Sequence, residues 1–68
     1  MKTNKEELIA LMDYMIRHNE SHNKELMDLA ASLKDVDSVA YADVEKAIEL
    51  FTKGNESLTL ALKEMNKE

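Results

Sequence analysis

His18, His22 and Glu25 form the pattern His-x3-His-x2-Glu. At about 100° per residue the three fall within an arc of about 60°, so one helix can present them to a common point. Two imidazoles one turn apart chelate divalent transition metals, and a carboxylate suits zinc, iron or manganese. The spacing therefore offers, without being specific to it, a mid-chain metal site of His18, His22 and Glu25, with a divalent ion such as zinc as its cofactor. It is not the zinc-protease motif, which needs Glu directly after the first His; Glu20 is rotated about 200° from His18. Nor is it the ferritin-like Glu-x-x-His, because Met15 and Asn19 stand three residues before the two histidines. Two asparagines, Asn19 and Asn55, share the same polar zone. Paired across two helices they would fix register, as buried asparagine does in coiled coils. On that reading, the favoured one, His22 packs near Phe51, and His18 and Glu25 form a solvated edge.

Other chemistry is poorly provided for. There is no cysteine and a single glycine, so neither a thiolate nucleophile nor a Gly-rich phosphate loop can be built. Ser21 adjoins His22 and faces another direction. An enzyme is not expected. Fourteen acidic against nine basic residues give a net charge of −5, which repels phosphate backbones and anionic membranes. The first residues run into an amphipathic stretch that fits neither a signal peptide nor a membrane span. A cytoplasmic protein without nucleic-acid or membrane partners is the expectation.

The elements that would position these residues are helices. Proline is absent and Leu, Met, Ala, Glu and Lys abound, all of which lose little freedom in a helix. Leu8, Met12, Met15, Asn19, His22, Leu26, Leu29 and Leu33 recur at alternating spacings of four and three, the signature of a helix seam. Thr3 with Glu6, and Asn4 with Glu7, fit capping boxes. Helix 1 is predicted over about residues 4–34. Lys34 to Ser38 break the pattern, with Asp37 and Ser38 as candidate N-caps for a second helix, so the turn covers about 35–39. Helix 2, about 40–66, carries the seam Val44, Ile48, Phe51, Asn55, Leu58, Leu62 and Met65. Asn19-Glu20-Ser21 and Asn55-Glu56-Ser57 lie 36 residues apart, a hint of duplication.

A turn near Val36 and Asp37 pairs positions whose numbers sum to about 73 or 74. Asn19 then meets Asn55 and apolar faces apolar nearly throughout, the agreement between levels expected of a sequence that specifies one fold. The expected class is an all-α antiparallel two-helix hairpin forming a single domain over 1–68. The alternative is a three-helix bundle broken near residues 18–22, where the run Arg17 to Lys24 is polar.

Two features point to a homodimer and a four-helix bundle. Ala40, Ala47, Gly54 and Ala61 stand at seven-residue intervals, which allows close approach of another helix. Ile9, Leu11 and Ile16 widen the apolar stripe of helix 1 beyond what one partner covers. At 68 residues and without disulfides, oligomerisation is the usual further source of stability. Met12, Met15 and Met65 gather at the open end, as core filling or as an adaptable surface for a helical protein partner.

The stretch His18-Asn19-x-x-His22-x-x-Glu25-Leu26, followed by Asn55-Glu56-x-Leu58-x-x-Ala61-Leu62, resembles small helical-hairpin domains of uncharacterised bacterial proteins. The resemblance spans most of the chain and implies a hairpin fold. It implies no activity. A structural or protein-interaction module is therefore the favoured functional reading, with metal or small-ligand binding as the alternative.

Overall fold

A computed structural model of the chain describes residues 4–67. Two helices account for almost all of them: α1 spans Lys5–Leu33 and α2 spans Ser38–Met65. They lie antiparallel in a rod of 49 × 17 × 17 Å.

Both helix starts follow from their caps. Asn4 sits in extended backbone and its side chain accepts from the Glu7 N–H at 2.8 Å. The Glu7 carboxylate accepts from the Asn4 carboxamide, which satisfies a side-chain donor where a capping box would satisfy the cap's backbone N–H. The alternative cap, Thr3, lies outside the described residues. For α2, Asp37 is the N-cap and its carboxylate accepts from Val39 and Ala40 N–H at 3.1 and 3.0 Å, so the helix begins at Ser38. Between the helices, the Leu33 carbonyl accepts from Val36 and Asp37 N–H. This closes a short turn without any residue at positive φ. Near the turn Tyr41 donates to Glu45 at 2.7 Å; that bond, and then the carboxylate's charge, raise its pKa above the usual tyrosine value.

α1 runs unbroken through residues 18–22, so the three-helix alternative is ruled out. The polar run contains no Gly or Pro, and polar side chains on an exposed face cost a helix little.

The cross-helix register agrees with the arithmetic. Asn19 meets Asn55, Asn23 meets Thr52, and the Lys5 ammonium reaches the Lys67 carbonyl. Half of the predicted α1 seam, however, is displaced by one residue. Burial falls on Ile9, Met12, Ile16, Asn19, Asn23, Leu26, Ala30 and Leu33, whereas Leu8, Met15, His22 and Leu29 are exposed. At the interface Ile9, Ile16, Asn23 and Ala30 take the places expected of those four, and His22 and Phe51, both exposed, border one groove at its edge. Ile9 and Ile16, expected on the outer stripe, point inward. The tightest packing is at Ala30, 4% exposed, and Ile48, 8% exposed.

Enlarging Ala30 therefore tests the corrected seam. Ala30→Leu should destabilise the hairpin by about 1–3 kcal/mol through overpacking. The same change at the exposed neighbour Ala31 should stay within about 0.5 kcal/mol. Urea melts followed by circular dichroism give both values, and equal effects at the two positions would refute the assignment.

Candidate functional site

The middle of the rod is polar. Asn19 and Asn55 occupy seam positions, one on each helix, and the Asn19 carboxamide donates to Asn55 Oδ1 at 3.1 Å. Asn55 in turn donates to the Ile16 carbonyl at 3.1 Å, fastening its side chain to the α1 backbone. One turn further along, Asn23 donates to Thr52 Oγ1 at 3.0 Å, while its own Oδ1 is enclosed and has no partner among the described residues. Both paired asparagines are half-buried. Each helix contributes to this layer at the same height because the turn fixes the register.

Asn23 and Thr52 are members of the layer that sequence reasoning missed. The signal was present: Ile16, Asn19, Asn23 and Leu26 continue a three-four spacing as faithfully as Met15, Asn19, His22 and Leu26. Choosing the second series placed His22 in the seam and Asn23 outside it.

The predicted metal-site residues lie beside this layer on an exposed face of α1. His18 and His22 turn toward each other, with Nε2 to Nε2 at 2.9 Å and ring centroids 4.4 Å apart at 88°. At that distance one Nε2 carries a hydrogen and the other accepts it. Tyr14 stacks on His18 at 5.5 Å and 15°, continuing the row one turn back. Glu25 does not join the convergence point. Its Oε2 lies 3.7 Å from Nδ1 of His22, on the far side of the ring, where a carboxylate orients an imidazole instead of sharing a ligand with it. Among the described residues no group of three or more His, Cys, Asp or Glu side chains is gathered to hold a metal. One chain thus brings two imidazoles together, with a carboxylate 3.7 Å from the outer nitrogen of one of them.

The two long faces of the rod differ. One carries Asp13, Arg17, Glu20, Lys24, Glu49 and Lys53, with ion pairs between Asp13 and Arg17 and between Glu49 and Lys53 along each helix. The other bears Leu8, Leu11, Met15 and Leu29 from α1, and Leu50 and Phe51 from α2, all exposed. On that second face Ala40, Ala47, Gly54 and Ala61 run along the α2 flank, and His22, Phe51 and Gly54 border a groove over the asparagine layer. A Cβ added to Gly54 meets nothing within 4 Å. No helix among the described residues is long and apolar enough to cross a membrane.

By its architecture the chain is an all-α helical-hairpin domain with a central polar layer. Residues 8–65 match the family described as a domain of unknown function (DUF8180), and the chain belongs to that family. The matched span runs from the first apolar residue of α1 to the last of α2, so the family's unit is the whole hairpin. No curated protein and no solved structure matches the chain.

A double-mutant cycle measures the polar layer. Asn55 makes two cross-helix bonds and Asn19 one, so Asn55→Leu should cost more than Asn19→Leu, each in the range of about 1–2 kcal/mol. The double variant should recover part of the summed loss, giving a coupling of about 0.5 kcal/mol or more. Strict additivity in urea melts would show that the two amides are energetically independent.

Proposed function

We infer that the chain is a non-enzymatic homodimeric scaffold, a protein-interaction module in which two hairpins stack by their apolar faces into a four-helix bundle. The observation that carries this reading is a second seam on α1. Leu8, Leu11, Met15, His18, His22, Glu25, Leu29 and Ser32 repeat the three-four spacing, and Leu8, Leu11, Met15 and Leu29 are exposed. A helix with two such seams is built to touch two helices. One of them is α2.

Area supports the same reading. A compact monomer of 7.8 kDa keeps about 4,400 Å² accessible by the usual scaling, whereas the hairpin exposes 5606 Å². The excess of about 1,200 Å² per chain exceeds the roughly 800 Å² that each partner contributes to a standard interface. The radius of gyration is 15.7 Å against about 11 Å for a globular domain of this length, and stacking a second rod alongside thickens the particle. Gly54 points the same way. Mid-helix glycine costs about 1 kcal/mol relative to alanine, and nothing inside the hairpin requires it, since no described residue has positive φ and its Cβ position is open.

A second reading, divalent-metal binding, is favoured by the converging Nε2 atoms of His18 and His22 and is developed below.

Sedimentation equilibrium of tag-free protein in chelator, at micromolar concentration, should give twice the chain mass. Gly54→Leu should lower that mass to one chain while the helical signal persists, because the added side chain finds open space in the hairpin and collides only with a docked neighbour. Leu11→Lys should act alike by placing a charge in the seam. A wild type that sediments as a cooperatively folded monomer would end this reading.

A further inference from the structure

We propose that the dimer completes a tetrahedral divalent-metal site of the zinc class from His18 and His22 of both chains. The inference rests on the stacked-hairpin reading above and adds its register, its symmetry and its ligand.

The register comes from the second seam. Its eight positions, from Leu8 to Ser32, are centred on residue 20, close to the midpoint of α1, which spans Lys5–Leu33. A two-fold axis perpendicular to the helices at that level lays α1 antiparallel on its copy. Leu11 then faces the partner's Leu29, and His18 faces the partner's His22. The Asn19–Asn55 contact puts Gly54 at the level of residue 20 on the other helix. The same axis therefore brings Gly54 onto its own copy and Ala47 onto the partner's Ala61. Two independent rows, one of large side chains on α1 and one of small ones on α2, share one symmetry point. The histidines stand at it.

The chemistry fits that point. Within one chain the two Nε2 atoms already lie 2.9 Å apart. Two imidazoles on a tetrahedral zinc at 2.0–2.1 Å have nitrogens separated by about 3.3 Å, so a small rotation of the rings opens the pair to chelating distance. Coordination needs both Nε2 lone pairs. The ring that now carries the Nε2 hydrogen therefore changes tautomer, giving that proton to water and taking one up at Nδ1, so that both neutral rings hold their proton on Nδ1. For His22, Glu25 stands 3.7 Å from that Nδ1 and favours this tautomer, the outer-shell role that carboxylates play toward metal-bound histidine. For His18, stacking on Tyr14 restrains the ring. Two such pairs across the axis supply four nitrogen donors, which suits zinc, copper and nickel over magnesium or calcium. A single chain supplies only two, in keeping with the absence of any group of three ligands among its described residues. A dication also opposes the mutual repulsion of two chains carrying −5 each.

The test uses full-length, tag-free protein stripped with chelator. Sedimentation in chelator first establishes whether the scaffold dimer exists, separately from the metal. Zinc is then titrated by calorimetry, and cobalt by visible absorption, where a tetrahedral nitrogen site gives intense d–d bands. The expected result is one ion per two chains and a rise in melting temperature. Binding should vanish in His18→Ala/His22→Ala and weaken about 10- to 100-fold in Glu25→Gln. Circular dichroism of both variants checks that the hairpin is intact, and His22→Gln serves as a milder replacement if the double variant loses helix. One ion per chain, octahedral cobalt spectra, or equal binding by the double variant would overturn the site. A dimer in chelator that ignores zinc would overturn it while leaving the scaffold reading standing.

Discussion

A pair of helices can hide only the stripe that each turns toward the other, and this limit governs the whole molecule. The hairpin's interface takes Ile9, Met12, Ile16, Leu26, Ala30 and Leu33 from α1, and the packing there is tight enough to bury Ala30 and Ile48. Everything else apolar must face outward. In a two-layer arrangement that remainder is large, because each helix is covered on about a third of its circumference. The face carrying Leu8, Leu11, Met15, Leu29, Leu50 and Phe51 gathers much of what remains once the hairpin has closed, with Met27 and Leu60 exposed elsewhere. Its opposite, rich in alternating Asp, Glu, Lys and Arg, is a surface water solvates well. The asymmetry between the two faces is the strongest functional signal in the fold.

The polar layer solves a different problem. Two antiparallel helices with leucine-like seams can slide by a heptad at little cost, since apolar contacts are not directional. Asn19 and Asn55 remove that freedom, because their hydrogen bond and the bond from Asn55 to the Ile16 carbonyl form only in one register. The short Lys34–Asp37 turn enforces the same alignment from one end. Such redundancy is costly in burial, as half-buried amides displace side chains that could have packed. It is understandable where a face must be presented in a fixed pattern. If α2 slipped by a heptad, Gly54 would no longer lie level with the histidines.

Much of this was legible in the residues. Two helices whose ends fall within two residues of the expected ones, Asn4 and Asp37 among the candidate caps, the antiparallel register and the Asn19–Asn55 pair all follow from local spacing plus the arithmetic of a turn. The choice of seam was not legible, for a physical reason. The predicted series of Leu8, Met12, Met15, Asn19, His22, Leu26, Leu29 and Leu33 takes alternate members from two rows. Met12, Asn19, Leu26 and Leu33 belong to the row against α2; Leu8, Met15, His22 and Leu29 belong to the exposed row. Periodicity locates the centre of an apolar arc. On a helix with two apolar rows, that centre falls between them and coincides with neither. Asn23 was passed over for the same reason. The placement of Glu25 behind His22 was also out of reach, since a helical wheel gives the angle of a residue and not which ring nitrogen its carboxylate approaches.

The same mismatch carries information about the histidines. In a row whose other members are Leu8, Leu11, Met15, Leu29 and Ser32, two imidazoles and a carboxylate at the centre are costly to cover with another apolar surface unless their polar atoms are satisfied. Within the chain that satisfaction is partial: the two Nε2 atoms share one hydrogen, and His22 Nδ1 has only a distant carboxylate. A row meant for solvent would not need flanking leucines, and a row meant only for burial would not need histidines. Leucines toward the ends and nitrogen donors in the middle suit the proposed contact between two chains, hydrophobic in its extent and specific at one point. In such a contact orientation would be set as well as affinity, because only an arrangement that brings donors to a common centre leaves none of them stranded.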